Sequence, residues 1–334
     1  MARTRRSTEP ERRRARVLIT GGTGFIGRSV VRLLSGRGDD VTAIVRDARK
    51  AADLSDLGVT VVEDDLSDVD RLTSVVRQAA ADAIVHAAGS YRIGIRREER
   101  GAMWDANVGT TTRILDAAEA AGTPRFVYLS TVNVFGNTKG VIVDETYRRD
   151  LTEGFLSWYD ETKYGAHEVA EQRIAGGAPV IVAMPGIVIG PGDHSEVGRQ
   201  LALAHGGKLS YVAAGGMGIT PVHVDDEAAG IAAVLDRGAI GRAYVLAGDC
   251  VRLGEALGRA AALGGKGLPW LRIPDGVLRS TASLGRLMGL ANARETISAS
   301  VGVTYWASSK RAEDELGWTR RDAEAAIRDT FSAA

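Results

Sequence analysis

With 334 residues, the chain is long enough to bury a substantial core in one large α/β domain with a smaller companion, and too long for a small binding module. Lysine plus arginine equals aspartate plus glutamate at 42 each, so the charge balance gives no footing for a polyanionic partner, and no nucleic acid is expected. The single cysteine, Cys250, excludes an internal disulfide framework and suits a reducing compartment, and no apolar run approaches the ~20 residues that span a bilayer, so the expectation is a soluble, cytoplasmic protein.

Residues 1–15 open the chain as an arginine-rich arm (Arg3, Arg5, Arg6, Arg12, Arg13, Arg14) without apolar periodicity, which predicts a disordered segment. No apolar region follows the paired arginines, so they do not read as an export signal. Val17, Leu18 and Ile19 then form an apolar run without alternation, as in a parallel strand buried on both faces. The run breaks into Thr20-Gly21-Gly22-Thr23-Gly24-Phe25-Ile26-Gly27 and resumes with helical spacing at Ile26, Val30, Val31, Leu33 and Leu34. In this setting Gly22 is expected to allow the sharp turn, Gly24 the close approach of a pyrophosphate, and Gly27 the packing of helix on strand. The helix N-terminus would aim N–H groups at the phosphates.

Further apolar strands follow at Val41–Val45, Val59–Val62, Ala83–Ala87, Phe126–Leu129 and Val180–Ala183, separated by amphipathic stretches. This alternation predicts a doubly wound parallel sheet of the Rossmann type with a smaller C-terminal substrate lobe. Ligands in such sheets sit beyond the carboxyl ends of strands, so the residues just after each strand are the candidates. After the second strand come Arg46 and Asp47. The guanidinium suits the 2′-phosphate of NADP(H), the preferred cofactor, while Asp47 keeps NAD(H) open. Asp65 has two readings, a bond to the adenine amino group or an N-cap for a helix starting near Ser67 or Asp68. His86 reads as a hydrogen-bonded strand-end histidine, and the small residues Ala87, Ala88 and Gly89 leave room for a cofactor. Asn107, near the start of an alanine-rich helix reaching Ala121, is expected to hold local backbone or water.

Ser130 and Thr131 follow the fifth strand and put hydroxyls at the same sheet edge. Tyr159 and Lys163, at i and i+4 of a helical stretch, share one face. An ammonium near a phenol favours the phenolate and lowers its pKa, so the pair can pass a proton to or from a substrate oxygen that Thr131 or Ser130 holds in place.

These features together resemble the extended short-chain dehydrogenase/reductase family, within the NAD-dependent epimerase/dehydratase superfamily, from about Arg16 to the C-terminus. The matching segments include Thr20-Gly21-x-x-Gly24-x-x-Gly27, Asp65-Leu66, His86-Ala87-Ala88, Asn107-Val108-x-Thr110, Val134-Phe135-Gly136, Tyr159-x-x-x-Lys163, Pro185 to Pro191, Val222-His223-Val224-Asp225-Asp226, and Ser309-Lys310 to Leu316-Gly317-Trp318. Val45-Arg46 looks like the dihydroflavonol-reductase-like branch. The resemblance implies that the hydroxyl residue is Thr131, that Tyr159 is the acid/base and that Lys163 also bonds the nicotinamide ribose. It further implies cofactor contacts from Gly21, Thr23, Gly24, Phe25, Ile26, Gly27, Arg46, Asp65, Leu66, Ala87, Ala88, Asn107, Tyr159, Lys163 and Pro185. The dinucleotide domain would comprise 16–186 with 221–249, and the substrate lobe 187–220 with 250–334.

Two departures bear on the substrate. Gly186 stands where nucleotide-sugar enzymes of the family commonly have a nearby asparagine, and Val132 and Asn133 stand where dehydratases have acids. Both point away from dehydration and from a nucleotide sugar, and Met184 replaces an arginine often found before the proline. In the lobe, Tyr91, Arg92, Met184, Tyr211 and Trp270 are candidates to line the pocket, while Leu278, Leu284, Leu287 and Met288 suggest an apolar helix face that packs internally or on a partner, possible in a homodimer. His194 with Asp193, and His205, lack metal spacing, so no metal is expected. The reading is an NADP-dependent oxidoreductase acting on a small-molecule carbonyl or alcohol, with a sugar epimerase as the alternative and a non-catalytic cofactor sensor as a third.

Overall fold

The computed structural model describes residues 14–281 and 293–332. Its strands in chain order are β1 (Arg16–Thr20), β2 (Asp40–Val45), β3 (Thr60–Glu63), β4 (Ala83–His86), β5 (Phe126–Leu129), β6 (Val180–Pro185), β7 (Ile187–Ile189), β8 (Gly218–Ile219), β9 (Pro221–His223), β10 (Ala243–Leu246) and β11 (Val251–Arg252). The helices are α1 (Phe25–Gly36), α2 (Ala52–Ser55), α3 (Val69–Ala79), α4 (Arg100–Trp104), α5 (Thr110–Ala121), α6 (Trp158–Ala175), α7 (Glu196–His205), α8 (Val224–Arg237), α9 (Leu253–Leu263), α10 (Asp275–Thr281), α11 (Ala293–Ser298), α12 (Lys310–Leu316) and α13 (Ala323–Thr330).

Seven parallel strands form the central sheet in the order β10-β6-β5-β4-β1-β2-β3. The direction of winding reverses between β1 and β4, which opens a crevice beyond Thr20 and His86. Side chains alternate across the sheet with the strand period of two. Val17, Ile19, Ala43, Val45 and Val85 pack with α1, α8 and α12 on one face, and Leu18, Ile44, Ile84, Phe126 and Tyr128 with α3, α5 and α6 on the other. This second core continues through Leu201 of α7, Leu257 and Ala260 of α9 and Ile327 of α13. Beside the sheet, β7 pairs with β9 in parallel and β8 with β11 antiparallel.

The expected strands all form, with ends within two residues of those expected and Phe126–Leu129 unchanged. β6 runs on to Pro185, and Gly186 closes the ladder by donating to the Leu246 carbonyl at 2.9 Å. β10 was not among the strands expected, although Gly238 and Gly241 separate it from α8. The helix expected from Asn107 begins earlier, at Arg100, and passes through a π-helical turn at Asp105–Gly109 before α5. Most of the basic arm, together with Leu284, Leu287 and Met288, lies outside the described residues, and Leu278 is half-buried on α10.

Candidate active site

The glycine loop joins β1 to α1. Gly21 has φ +74°, and a Cβ there would lie 2.6 Å from the Ala88 nitrogen. The turn therefore belongs to Gly21 and not, as expected, to Gly22, whose space is bounded by Val31, Ala43 and Ile19. At Gly27 a Cβ would come within 2.2 Å of the Gly21 carbonyl oxygen, so this glycine does let helix and loop close on each other. Gly24 is the N-cap of α1 and offers no side-chain acceptor, so the first-turn N–H groups face the crevice without a side-chain cap. A cradle that a Cβ would fill, ending in uncapped N–H groups, fits the pyrophosphate of a dinucleotide. Thr23, Phe25 and Ile26 sit half-buried around it.

Ala87 and Ala88 run alongside, held by bonds from their N–H groups to the Thr20 carbonyl (3.1 Å) and hydroxyl (3.3 Å). His86 is fully buried between the Thr20 hydroxyl at 2.7 Å and the Thr111 hydroxyl at 3.1 Å. Burial, with Lys163 adding to it, pulls its pKa down to about 3, so it is a neutral bridge between β4 and its neighbours. Arg46 is exposed at the end of β2. Asp47, by contrast, caps the 3₁₀ turn Ala48–Ala51 and accepts from Arg49 Nε at 2.9 Å, which holds its carboxyl below the usual range.

Asp65 does not cap α3. Asp68 does, accepting from the N–H groups of Asp70 and Arg71 at 2.9 and 3.1 Å, while Asp65 accepts from the Ser67 N–H at 3.0 Å. Leu66 is buried at φ +63°, a conformation that costs a side-chain-bearing residue about 1–3 kcal/mol. The Asp64 carboxylate, accepting from its N–H at 2.8 Å, and Arg113 Nε, donating to its carbonyl at 2.6 Å, fix it there. Asn107 is committed to protein: its amide accepts from Ser90 N–H at 2.7 Å and donates to the Ser90 carbonyl (3.1 Å) and Thr162 hydroxyl (2.8 Å). It ties the loop after β4 to α6.

α6 begins at Trp158 under the Ser157 cap, with Asp160 and Glu161 in its first turn complementing the helix dipole. This places Tyr159 and Lys163 on adjacent turns beside Thr131, which caps the 3₁₀ turn Val132–Phe135. The Thr131 hydroxyl, which donates to Asn133 Oδ1 at 3.2 Å, lies near the Tyr159 phenol. Burial pushes that phenol upward, with Tyr91 and Asp160 contributing and Thr131 opposing. The expected lowering of Tyr159 by Lys163 is not found. The Lys163 ammonium instead donates to the Leu129 carbonyl at 2.8 Å over the Tyr128 ring, and burial lowers its pKa to about 8. The Ser130 hydroxyl lies 2.9 Å from Nδ1 of His167, one turn beyond Lys163 on the same helix. Thr131 alone of the two hydroxyls faces Tyr159. Pro185, buried at the end of β6, completes this edge.

Of the pocket candidates, Tyr91 packs edge-on against Tyr159. Met184 is buried in the core, Arg92 pairs with Glu99 at 2.9 Å, and Trp270 (90% exposed) and Tyr211 stand on the surface. His205 stacks on Phe331, and among the described residues no group of His, Cys, Asp and Glu converges to hold a metal. Cys250 is half-buried, and burial pushes its thiol up. No helix among the described residues is long and apolar enough to cross a membrane. Sequence reasoning missed one structural partner of the site: Arg149 pairs with Asp160 at 2.8 Å, the two side chains only 5% and 1% exposed.

A family model described as the NAD dependent epimerase/dehydratase family matches residues 17–247. A Synechocystis sp. protein provisionally named a dihydroflavonol 4-reductase is 28% identical over 324 residues, covering 93% of this chain and 92% of that protein. The 2-alkyl-3-oxoalkanoate reductase of Stenotrophomonas maltophilia is 30% identical, with 64% and 63% covered. The dTDP-glucose 4,6-dehydratase of Mycobacterium tuberculosis is 28% identical, with 70% and 72% covered. Among solved structures, gox2253 superposes with a TM-score of 0.80 at 29% identity, covering 94% of this chain and 96% of that one.

Proposed function

The chain belongs to the NAD-dependent epimerase/dehydratase family, as an NAD(P)-dependent enzyme of the extended short-chain dehydrogenase/reductase type, and within it we propose an NADP(H)-dependent carbonyl reductase or alcohol dehydrogenase. The observation that carries this reading is a neutral phenol at Tyr159, with Thr131 near it and Lys163 one turn on along α6. A phenol that burial keeps protonated is a proton donor, as reduction of a carbonyl requires. Thr131 orients the carbonyl oxygen. The Lys163 ammonium, charged at neutral pH, stabilises the phenolate left after donation. When bound, the nicotinamide nucleotide supplies or accepts the hydride.

The loop Gly21 to Gly27 would hold its pyrophosphate, Asp65 and Leu66 its adenine, Ala87, Ala88 and Pro185 its nicotinamide half, and Lys163 its ribose. NADP(H) is favoured over NAD(H) because Arg46 stands exposed while Arg49 occupies Asp47. The substrate would lie against residues 187–220 and 250–334. Val132 is buried in the core and Asn133 accepts from the Thr131 hydroxyl at 3.2 Å, so neither neighbour of Thr131 is an acid, which supports reduction over dehydration.

The test is Tyr159→Phe. Turnover of a carbonyl substrate with NADPH should fall by about 10²–10⁴-fold while NADPH still binds, since the ring is kept and only the proton is lost. Undiminished turnover would contradict the proposal.

A further inference from the structure

α7 and α9 end side by side at one corner of the C-terminal part, where a Cβ at Gly264 would collide with the His205 carbonyl. The chain leaving each helix then runs beside the other: the Val212 N–H donates to the Leu271 carbonyl at 3.0 Å, and the Ile273 N–H to the Val212 carbonyl at 2.9 Å. This corner presents apolar side chains to solvent. Trp270 is 90% exposed, Tyr211 49% and Leu271 42%. A single exposed apolar residue needs no explanation, whereas two aromatic rings and a leucine on paired segments do. The charged residues beside them are cations. Lys208, Lys266 and Arg272 are exposed, and Lys266 lies along Gly207, where a Cβ would come 3.0 Å from its Cγ and Cδ. Neither 197–224 nor 256–274 contains an aspartate or glutamate, although 42 of the chain's 334 residues are acids. The carboxylate of Asp275, the next acid, lies toward Gly216, 4.0 Å from where a Cβ there would stand. Among the described residues, none of the three cations pairs with a carboxylate.

We propose that this corner docks on an anionic lipid bilayer, with Trp270, Tyr211 and Leu271 entering at headgroup depth and Lys208, Lys266 and Arg272 meeting the lipid phosphates. The proposal goes beyond the reductase reading and does not depend on it. Tryptophan and tyrosine rings sit by preference at the boundary of membrane and water, and lysine and arginine are drawn to an anionic surface. The contact is peripheral, since no helix among the described residues is long and apolar enough to cross a membrane. A protein partner suits the corner less well, because protein interfaces are depleted in lysine. A second copy of the chain meeting it face to face would set the three cations against their own images.

The test is co-sedimentation of the full chain with vesicles of phosphatidylcholine alone and with vesicles of phosphatidylcholine and phosphatidylglycerol in a two-to-one ratio, each at low and high salt. Wild type should sediment with the anionic vesicles, far less with the neutral ones, and less again at high salt. Trp270→Ala should lower partitioning onto the anionic vesicles by about tenfold, through the apolar area it no longer buries. Replacing Lys208, Lys266 and Arg272 together by glutamine should lower it by roughly a hundredfold. The thermal midpoints of both variants should match wild type, because these side chains lie outside the core. Wild type that stays in the supernatant, or that binds both vesicles alike, overturns the proposal. So does binding that survives in both variants, as the arginines of residues 1–15 alone would give. A dimer in vesicle-free solution that Trp270→Ala converts to a monomer would assign the corner to a second copy of the chain and also overturn it.

Discussion

Both carboxylate oxygens of Glu227 are buried on α8 without a hydrogen-bond partner among the described residues. Burial, with Asp226 adding to it, raises this carboxyl well above its ordinary value. The folded protein therefore keeps a proton that the unfolded chain releases above pH ~4.3, so stability present in acid is lost as the pH rises from there toward the folded-state pKa. Replacement by an apolar side chain of similar volume, Glu227→Met, is expected to stabilise the protein by about 1–4 kcal/mol at pH 7, with the gain shrinking toward pH 4. Urea denaturation at the two pH values measures this, and an equal gain at both would show that the carboxyl is not held neutral. Nothing in the local pattern signals this: in Val224-Asp225-Asp226-Glu227 the glutamate has the position of an ordinary first-turn acid. Its burial follows from which face α8 turns to the sheet. The same holds for Ser130 and Thr131, adjacent and chemically alike, whose different partners, His167 Nδ1 and Asn133 Oδ1, are set by the fold.

At the scale of elements, α6 shows what spacing reveals and what it hides. Tyr159 with Lys163 on one face was readable because the spacing is local. The Arg149–Asp160 pair was not, because no periodicity links a loop arginine to a helix eleven residues later. This pair anchors the start of α6: Asp160 also accepts from the Leu156 N–H at 2.9 Å, and Arg149 donates to the Gly154 carbonyl at 2.9 Å and lies over the Phe155 ring. Asp160→Asn leaves a buried guanidinium without its anion and should cost about 3–5 kcal/mol of stability. Denaturant unfolding checks the value, and a cost under about 1 kcal/mol would mean that the pair is relaxed by solvent. Asp65 teaches a related lesson. Three acids lie close together in Asp64-Asp65-Leu66-Ser67-Asp68, and only the backbone geometry decides that Asp68 is the cap and Leu66 the residue held at positive φ.

For the whole molecule, alternating apolar strands and amphipathic helices were enough to predict a doubly wound parallel sheet, since burial on both faces leaves a strong composition signal. The reversal of winding between β1 and β4 then puts the glycine loop, Thr131 and Tyr159 at one edge. The C-terminal part was harder to read. Its strands β7, β8, β9 and β11 have two or three residues each, too few for a period to register, and its helices α7, α9 and α13 join the same core as the sheet. Its assignment as a substrate lobe is accordingly part of the proposal.

The central proposal is an enzyme that exchanges NADP(H) at every turnover, and it is tested most directly by identifying, by mass, the nucleotide released when freshly purified protein is denatured, and by titrating the emptied protein with NADPH and NADH. The proposal predicts no stoichiometric NAD⁺ and tighter binding of NADPH, a preference that Arg46→Ser should reduce by roughly tenfold or more through loss of the charge-assisted bond to the 2′-phosphate. Stoichiometric NAD⁺ retained through purification would contradict it, and would point to an epimerase that keeps its cofactor through both half-reactions.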